Sequence, residues 1–416
     1  MQMGPALLDG NSIRQLAGSP GVREALAVFA REKLWIHEQH VALCRVPAQT
    51  FLEEKRAEWM AGQFRALGCE AGIDRAGNVI AWPWPDRGGP VIALTAHLDT
   101  VLAPRNRDEI AVDPDGTLHG PGVSDNGAGL AALLAIARAL RSSPPLEDVQ
   151  AGLALVANVG EEGEGNLSGM RYLARQSPLA ARIRAYLVLD GPSLDHITTE
   201  ALSSRRFELL FTGPGGHSWN DRGNPNPIHA LGHAIAWFTD AFASSPNGDS
   251  LRSSFNFGTV EGGSTINSIP PLARAKIDLR SEDSSRIGDL VRDLSALVER
   301  AAELENQRST AGKLTARLKE IGSRPAGRLA ENASILEFVR AVDSHLGIRA
   351  RLDCASTDAN IPLAAGLPAV SIGAGGQGGG AHTPSEWFHP EGRELGLKRV
   401  LLILALLVKH PPPAAV

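Results

Sequence analysis

Cysteine is nearly absent: Cys44, Cys69 and Cys354 are the only three in 416 residues. They are scattered and odd in number, which argues against a disulfide framework and fits a reducing compartment. None belongs to a CxxC pair, so the spacing of a thiolate zinc site is missing too. The chain also lacks an excess of positive charge. With 41 Lys+Arg against 46 Asp+Glu, the formal net charge is −5, and no basic face is advertised to nucleic acid. Long apolar runs are lacking as well. The longest, VLLILALLV at Val400–Val408, falls well short of the roughly 20 residues that cross a bilayer; it reads as a buried helix closing the fold. The opening MQMGPALLDGN has no charged start followed by an apolar stretch, so no signal peptide is read. These absences predict a soluble cytoplasmic protein whose partners include neither nucleic acid nor membrane.

What the chain does have is alternation of short apolar runs with helical patterns. Its length exceeds one ordinary core, so two domains are expected. VIALTA (91–96), GLALVANV (152–159), AYLVLD (185–190) and PAVSIG (368–373) are too continuously apolar to alternate. Strands covered by helices on both faces read this way. Helical runs lie between them at 127–142, 168–176 and 333–347, after earlier ones at Gly21–Ala42 and Phe51–Leu67. The expected architecture is a mixed-sheet α/β/α domain. After Gly191 the pattern changes to a half-exposed strand at 204–213, a helix at Pro227–Ala243, two strands, a helix at Ser285–Gln307 and a last strand. The order β-α-β-β-α-β is the ferredoxin-like unit. It is placed as an α+β insert over residues 197–325, interrupting a first domain of residues 1–196 and 326–416.

The ends of the predicted strands are chemically unusual. His97 and Asp99 follow the first run, Glu161 and Glu162 the second, and Asp190 ends the third. His382 closes a glycine loop after the fourth, and Asp125 opens the helix at 127. Each has an ordinary explanation alone. HLD suits a turn, Asp125 a helix cap, Asp190 before Gly-Pro a turn, EEGEG a solvated loop and His382 a surface position. Function in an open α/β sheet collects at the carboxyl ends of strands, and here several of those ends carry oxygen or nitrogen ligands. Without thiolate, that set suits zinc, manganese or cobalt. A carboxylate shared between two metals would let five ligands hold two ions.

The segments TAHLDTV, GPGVSDNGAGLAALL, GEEGEG, VLDG, GPGGHSW, GTVEGGSTINSIPPLARAKIDLRS and GGGAHTPSEW follow one another as in the M20 metallopeptidases, which the chain resembles over nearly all its length. The resemblance implies a catalytic domain holding two divalent ions, zinc first, with cobalt or manganese as alternatives, and an inserted lid through which two copies form a homodimer. It implies that His97 and Asp190 bind one metal, Glu162 and His382 the other, and that Asp125 bridges them, with a cis peptide to Asn126. Glu161 is implied as general base, and Asp99 as the residue that holds the other nitrogen of His97, fixing its tautomer. Adjacent residues at a strand end diverge, so Glu162 can grip a metal while Glu161 faces the attacking water. In the lid, the resemblance implies that His217 stabilises the oxyanion, from the partner subunit, and that Asn267 and Arg280 bind the substrate's carboxylate or carbonyl. An arginine fork suits a carboxylate. Backbone amides of the loop Gly375–Gly380, Gly379 among them, would approach substrate, and STDAN (Ser356–Asn360) resembles a substrate-side loop. The implied activity is hydrolysis of short peptides by an exopeptidase of the aminopeptidase type. N-acyl amino acid amidohydrolase or carboxypeptidase stand as alternatives, and a metal-binding but inactive member stands last, because neither the base nor any ligand is missing.

Overall fold

The computed structural model describes residues 10–244 and 252–414. Contacts divide the chain into two units: one runs to Ala201 and resumes at Gly327, and the other spans Leu202–Ala326. The dividing points differ slightly from 196/197 and 325/326. Strand His196–Ala201 pairs into the large sheet, so the first unit keeps it.

Among the described residues of the first unit, nine strands form one sheet. In chain order they are β1 (Glu70–Ile73), β2 (Val79–Trp82), β3 (Val91–His97), β4 (Gly152–Asn158), β5 (Ile183–Leu189), β6 (His196–Ala201), β7 (Gly327–Arg328), β8 (Arg351–Ala355) and β9 (Ala369–Ile372). The lateral order is β1-β2-β4-β3-β5-β9-β6-β7, with β8 also paired to β6. The four apolar runs are β4, β3, β5 and β9. They are adjacent and mutually parallel, and every residue of β3 is buried. Continuous apolar sequence is the signature of such a strand because neither face meets water. The flanking β1, β2 and β7 pair antiparallel, making the sheet mixed.

Helix Gly127–Arg141 is buried at 13 of its 15 residues, and helix Arg393–Lys409 carries the run Val400–Val408 into the core. Both pack on β3. Arg399, fully buried on the second helix, makes a two-pronged ion pair with Asp343 of helix Ser334–Leu346, at 2.6 and 2.7 Å. The single helix expected over Gly21–Ala42 is two, Pro20–Arg31 and Lys33–Cys44, broken at Glu32. The apolar spacing carries through the break because both pieces pack on helix Gly127–Arg141. Glu32 is held there by Arg138 at 2.9 Å.

In the second unit four strands form an antiparallel sheet in the order Ser253–Gly262, Leu272–Ser281, Ser203–Thr212, Thr315–Arg324. Helices Pro227–Ser244 and Ser284–Arg308 pack on it, burying Phe207, Leu209, Phe211, Phe238, Leu290 and Leu294 in a core of their own. Strand Leu272–Ser281 alternates buried and more exposed residues, as expected when one face is packed and the other is not. Among the described residues no helix is long and apolar enough to cross a membrane.

Candidate metal centre

Because β4, β3, β5 and β9 run parallel side by side, their carboxyl ends share one edge of the sheet. His97 is the last residue of β3, Glu161 and Glu162 follow β4, and Asp190 follows β5. Gly160 makes the turn into the two glutamates at φ +65°, where a Cβ would lie 2.2 Å from Ser168 Oγ. Only glycine combines that backbone with so close an approach. Asp125 arrives from the start of helix Gly127–Arg141 through a cis peptide to Asn126. The Asn126 side chain accepts from the amides of Gly129 (3.1 Å) and Gly191 (3.2 Å) and donates to the Leu189 carbonyl at 2.8 Å. It thus fastens the Asp125 turn to the strand end that carries Asp190.

The five candidate ligands form a connected group. His97 Nε2 lies 3.0 Å from Asp125 Oδ1 and 4.0 Å from Asp190 Oδ1. His382 Nε2 lies 3.1 Å from Asp125 Oδ2 and 2.7 Å from Glu162 Oε1. The ligand atoms of His97, Asp125 and Glu162 all fall within 4.8 Å of one another. Asp125 is central, and its two oxygens face two different imidazoles. His382 adopts φ +66°, a conformation uncommon outside glycine, of the kind that clusters at functional sites.

Asp99 faces both His97 and the loop of the two glutamates. The nitrogen of His97 turned away from the cluster, Nδ1, lies 2.9 Å from the main-chain carbonyl of Asp99 and 3.6 Å from its carboxylate. A carbonyl only accepts, so Nδ1 carries the hydrogen and Nε2 is left to face the cluster. The buried Asp99 carboxylate also accepts the amides of Glu161 and Glu162, each at 2.9 Å, and the Thr50 hydroxyl at 3.0 Å. It holds both glutamates by their backbone.

Charge is concentrated here. Burial, then the neighbouring Asp125, pushes Asp190 up to about 7. Burial opposes ionisation of Asp125 as well, but hydrogen bonds from His382 and His97 keep it far below the usual carboxylate range. Burial also works against the charged form of His97, and Asp125 and Asp99 overcome it, holding the imidazole well above its ordinary value. Hydrogen bonds to Asp125 and Glu162 raise His382 to about 10. Converging carboxylates and imidazoles, with no thiolate among them, are a donor set that fits zinc, manganese or cobalt, and a cation would offset the repulsion that Asp190 feels.

A pH dependence follows. In the metal-free protein both imidazoles hold protons at neutral pH, and a metal ion has to displace them. Zinc binding at about pH 7 is expected to release protons, and its affinity to rise with pH. Titration calorimetry in buffers of different ionisation enthalpy counts those protons; a count of zero contradicts the coupling. The sign for the metal-free fold is the reverse. The His382 contribution to stability is complete below the ordinary imidazole value and is lost as pH rises through about 10.

His217, Asn267 and Arg280 belong to the second unit. His217 pairs with Ser268 in a short two-stranded ladder, and the amide of Ser218 donates to the Asn267 carbonyl at 3.0 Å, which brings His217 and Asn267 together. The amides of Trp219 (3.2 Å) and Asn220 (3.4 Å) donate to His217 Nδ1, leaving its Nε2–H outward. Arg280 lies on the four-stranded sheet, its Nε 2.8 Å from Asp278. Gly379 lies not in an irregular loop but in a strand, Gln377–Gly379, paired with Trp387–His389.

Some residues around the centre were not foreseen. Glu386, four residues after His382, accepts three amides of the loop that carries Asp125. His40 is fully buried, its Nε2 2.7 Å from the Val123 carbonyl and its Nδ1 2.7 Å from Arg393. Arg56, also fully buried, donates to the carbonyls of Leu98 (2.8 Å) and Val46 (2.9 Å). An acid at 386 within an otherwise uncharged turn was the one visible signal.

Residues 93–408 match the model of Peptidase family M20/M25/M40. The chain belongs to that family. A succinyl-diaminopimelate desuccinylase 2 of Ruegeria sp. (strain TM1040) is 29% identical over 246 residues, 56% of this chain and 60% of that protein. The match thus spans less than two thirds of that relative's own length. A tripeptidase from Staphylococcus aureus has the same fold, with a TM-score of 0.70 and 20% identity over 90% of this chain and 98% of that one. So does a dinuclear metal-binding peptidase of family M20 from Bacillus subtilis, with a TM-score of 0.61 and 17% identity over 92% of this chain and 99% of that one.

Proposed function

We propose that this chain is a metal-dependent hydrolase that cleaves the amide bond of short peptides as an exopeptidase of the aminopeptidase type. One observation carries the metal reading: the two oxygens of Asp125 face different imidazoles, His97 at 3.0 Å and His382 at 3.1 Å. His97 and Asp190 would hold one divalent ion, Glu162 and His382 the other, with Asp125 shared between them. Zinc is proposed first, cobalt and manganese after it. Such ions supply a water made acidic enough to ionise near neutral pH and polarisation of the scissile carbonyl.

The side chains do the rest. Glu161 takes the proton of the attacking water on its carboxylate and delivers it to the leaving nitrogen. Asp99 keeps that carboxylate aimed through the amide it accepts. His217 presents Nε2–H as donor to the carbonyl oxygen as that atom gains negative charge, supplied by the partner subunit of a homodimer formed through the second unit. Arg280 and Asn267 bind the carboxylate or carbonyl of the substrate, and the backbone near Gly379 lines its path.

A second reading has specific support. The relative that is 29% identical is a desuccinylase, so an N-acyl amino acid is the alternative substrate, cleaved at its amide by the same residues; a carboxypeptidase action stands behind it. A panel of free di- and tripeptides, N-acetyl and N-succinyl amino acids, and peptides blocked at either end separates these. Release of the N-terminal residue from free peptides, abolished by chelator, is expected. Cleavage of the N-acyl compounds alone selects the second reading. No cleavage by protein loaded with two ions per chain contradicts both.

A further inference from the structure

The loop that delivers Asp125 is held from behind by a second carboxylate. Glu386 is 2% exposed. Its Oε2 accepts the amide of Gly122 at 2.7 Å, and its Oε1 accepts those of Ser124 and Asp125 at 2.8 Å each. Its main-chain carbonyl accepts a fourth, from Gly120, at 2.9 Å. Glu386 and His382 sit on the same short segment between strands Gln377–Gly379 and Trp387–His389. One peptide therefore carries both an imidazole of the cluster and the anchor of the carboxylate that imidazole faces.

We propose that Glu386 is a positioning residue for Asp125: its carboxylate fixes the 122–125 loop so that the two Asp125 oxygens are aimed at His97 and His382 with the spacing a pair of ions requires. The proposal rests on the reading of Asp125 as the shared metal ligand. Three amides converging on one carboxylate form charge-assisted hydrogen bonds, roughly twice as strong as neutral ones. Only a group with two acceptor oxygens can take all three. Asp99 treats the neighbouring ligand loop in the same way, accepting the amides of Glu161 and Glu162. Between them the two acids clamp the loops of three carboxylates at the centre without entering it. Arg56, buried and within electrostatic reach of both Asp99 and Glu386, offsets the charge they add. His40 holds the same loop through the carbonyl of Val123.

Glutamine at 386 keeps the size but offers one acceptor oxygen, and its NH2 would confront at least one backbone N–H. The test compares metal-free wild type, Glu386→Gln and Glu386→Asp by zinc titration calorimetry, by the visible spectrum of the cobalt-loaded protein, and by kcat and KM. Circular dichroism of each metal-free protein establishes that it is folded. Glu386→Gln is expected to weaken at least one of the two ions by about 10–100-fold, the usual cost of removing an outer-shell partner. It should also shift the cobalt spectrum and lower kcat with little change in KM. Glu386→Asp keeps the charge on a shorter arm and should recover part of the affinity. A folded Glu386→Gln protein with wild-type affinities and spectrum overturns the proposal, even if it melts earlier, because its role is then structural only. If that variant does not fold, Glu386→Asp decides: affinity and spectrum between wild type and a disordered centre support positioning, and wild-type values overturn it. Wild type that binds no pair of ions removes the metal reading itself, an outcome distinct from failure of the variants.

Discussion

Glu161→Gln is expected to retain both metal ions and to lose about 10²–10⁴-fold in kcat, the usual contribution of a positioned general base. The substitution is nearly isosteric. The Glu161 amide, which Asp99 accepts at 2.9 Å, stays in place, so the backbone course into Glu162 is kept. What disappears is one basic oxygen beside the cluster, in a residue that is 4% exposed and close enough to His97 to favour its charged form. Metal content by mass spectrometry and turnover on the best peptide of the panel give the comparison. Near-normal kcat with two ions bound removes Glu161 as the base.

Asp125→Ala is expected to reduce activity to background and to weaken metal binding by more than the 10–100-fold that outer-shell partners cost. Asp125 joins the two halves of the cluster: without it the Nε2 of His97 is left with Asp190 at 4.0 Å, and that of His382 with Glu162 at 2.7 Å. Neither remaining pair approaches the four donors that zinc ordinarily takes. Equilibrium dialysis followed by elemental analysis measures occupancy. An Asp125→Ala protein carrying two ions per chain contradicts the shared-ligand role. The contrast between the two variants, one inactive with metal and one inactive without, separates proton transfer from metal retention.

Much of this centre was legible because its donors sit where parallel strands stop. The apolar runs of β3, β4, β5 and β9 mark strands buried on both faces, and a residue just past such a run lies at a predictable edge. His97, Glu161, Glu162 and Asp190 could be placed on that basis. The insert was readable because its sheet has one packed face, so Ser203–Thr212 and Leu272–Ser281 alternate. The break at Glu32 was hidden, since both helices beside it bury their apolar sides on the same neighbour. β6 was missed because HITTEA mixes polar residues into a strand that touches β9 through a single pair, Thr198 with Ser371. His40 had no local signature, and Glu386 only its charge in an otherwise uncharged turn. Glu386 meets its amides across more than 260 positions and His40 its carbonyl across 83, and such ties follow from packing rather than from any pattern along the chain. The Asp99 carboxylate shows the same limit: its place after His97 suggested a partner for the ring, but not the two backbone amides from another strand end that it also accepts.

The most direct test of the central claim is anomalous diffraction from crystals grown with zinc, collected at the zinc edge. Two peaks about 3.5–4 Å apart are expected, with Asp125 reaching both, His97 and Asp190 on one, and Glu162 and His382 on the other, at about 2.0–2.2 Å. A single peak, or ions bound away from these five side chains, would contradict the account.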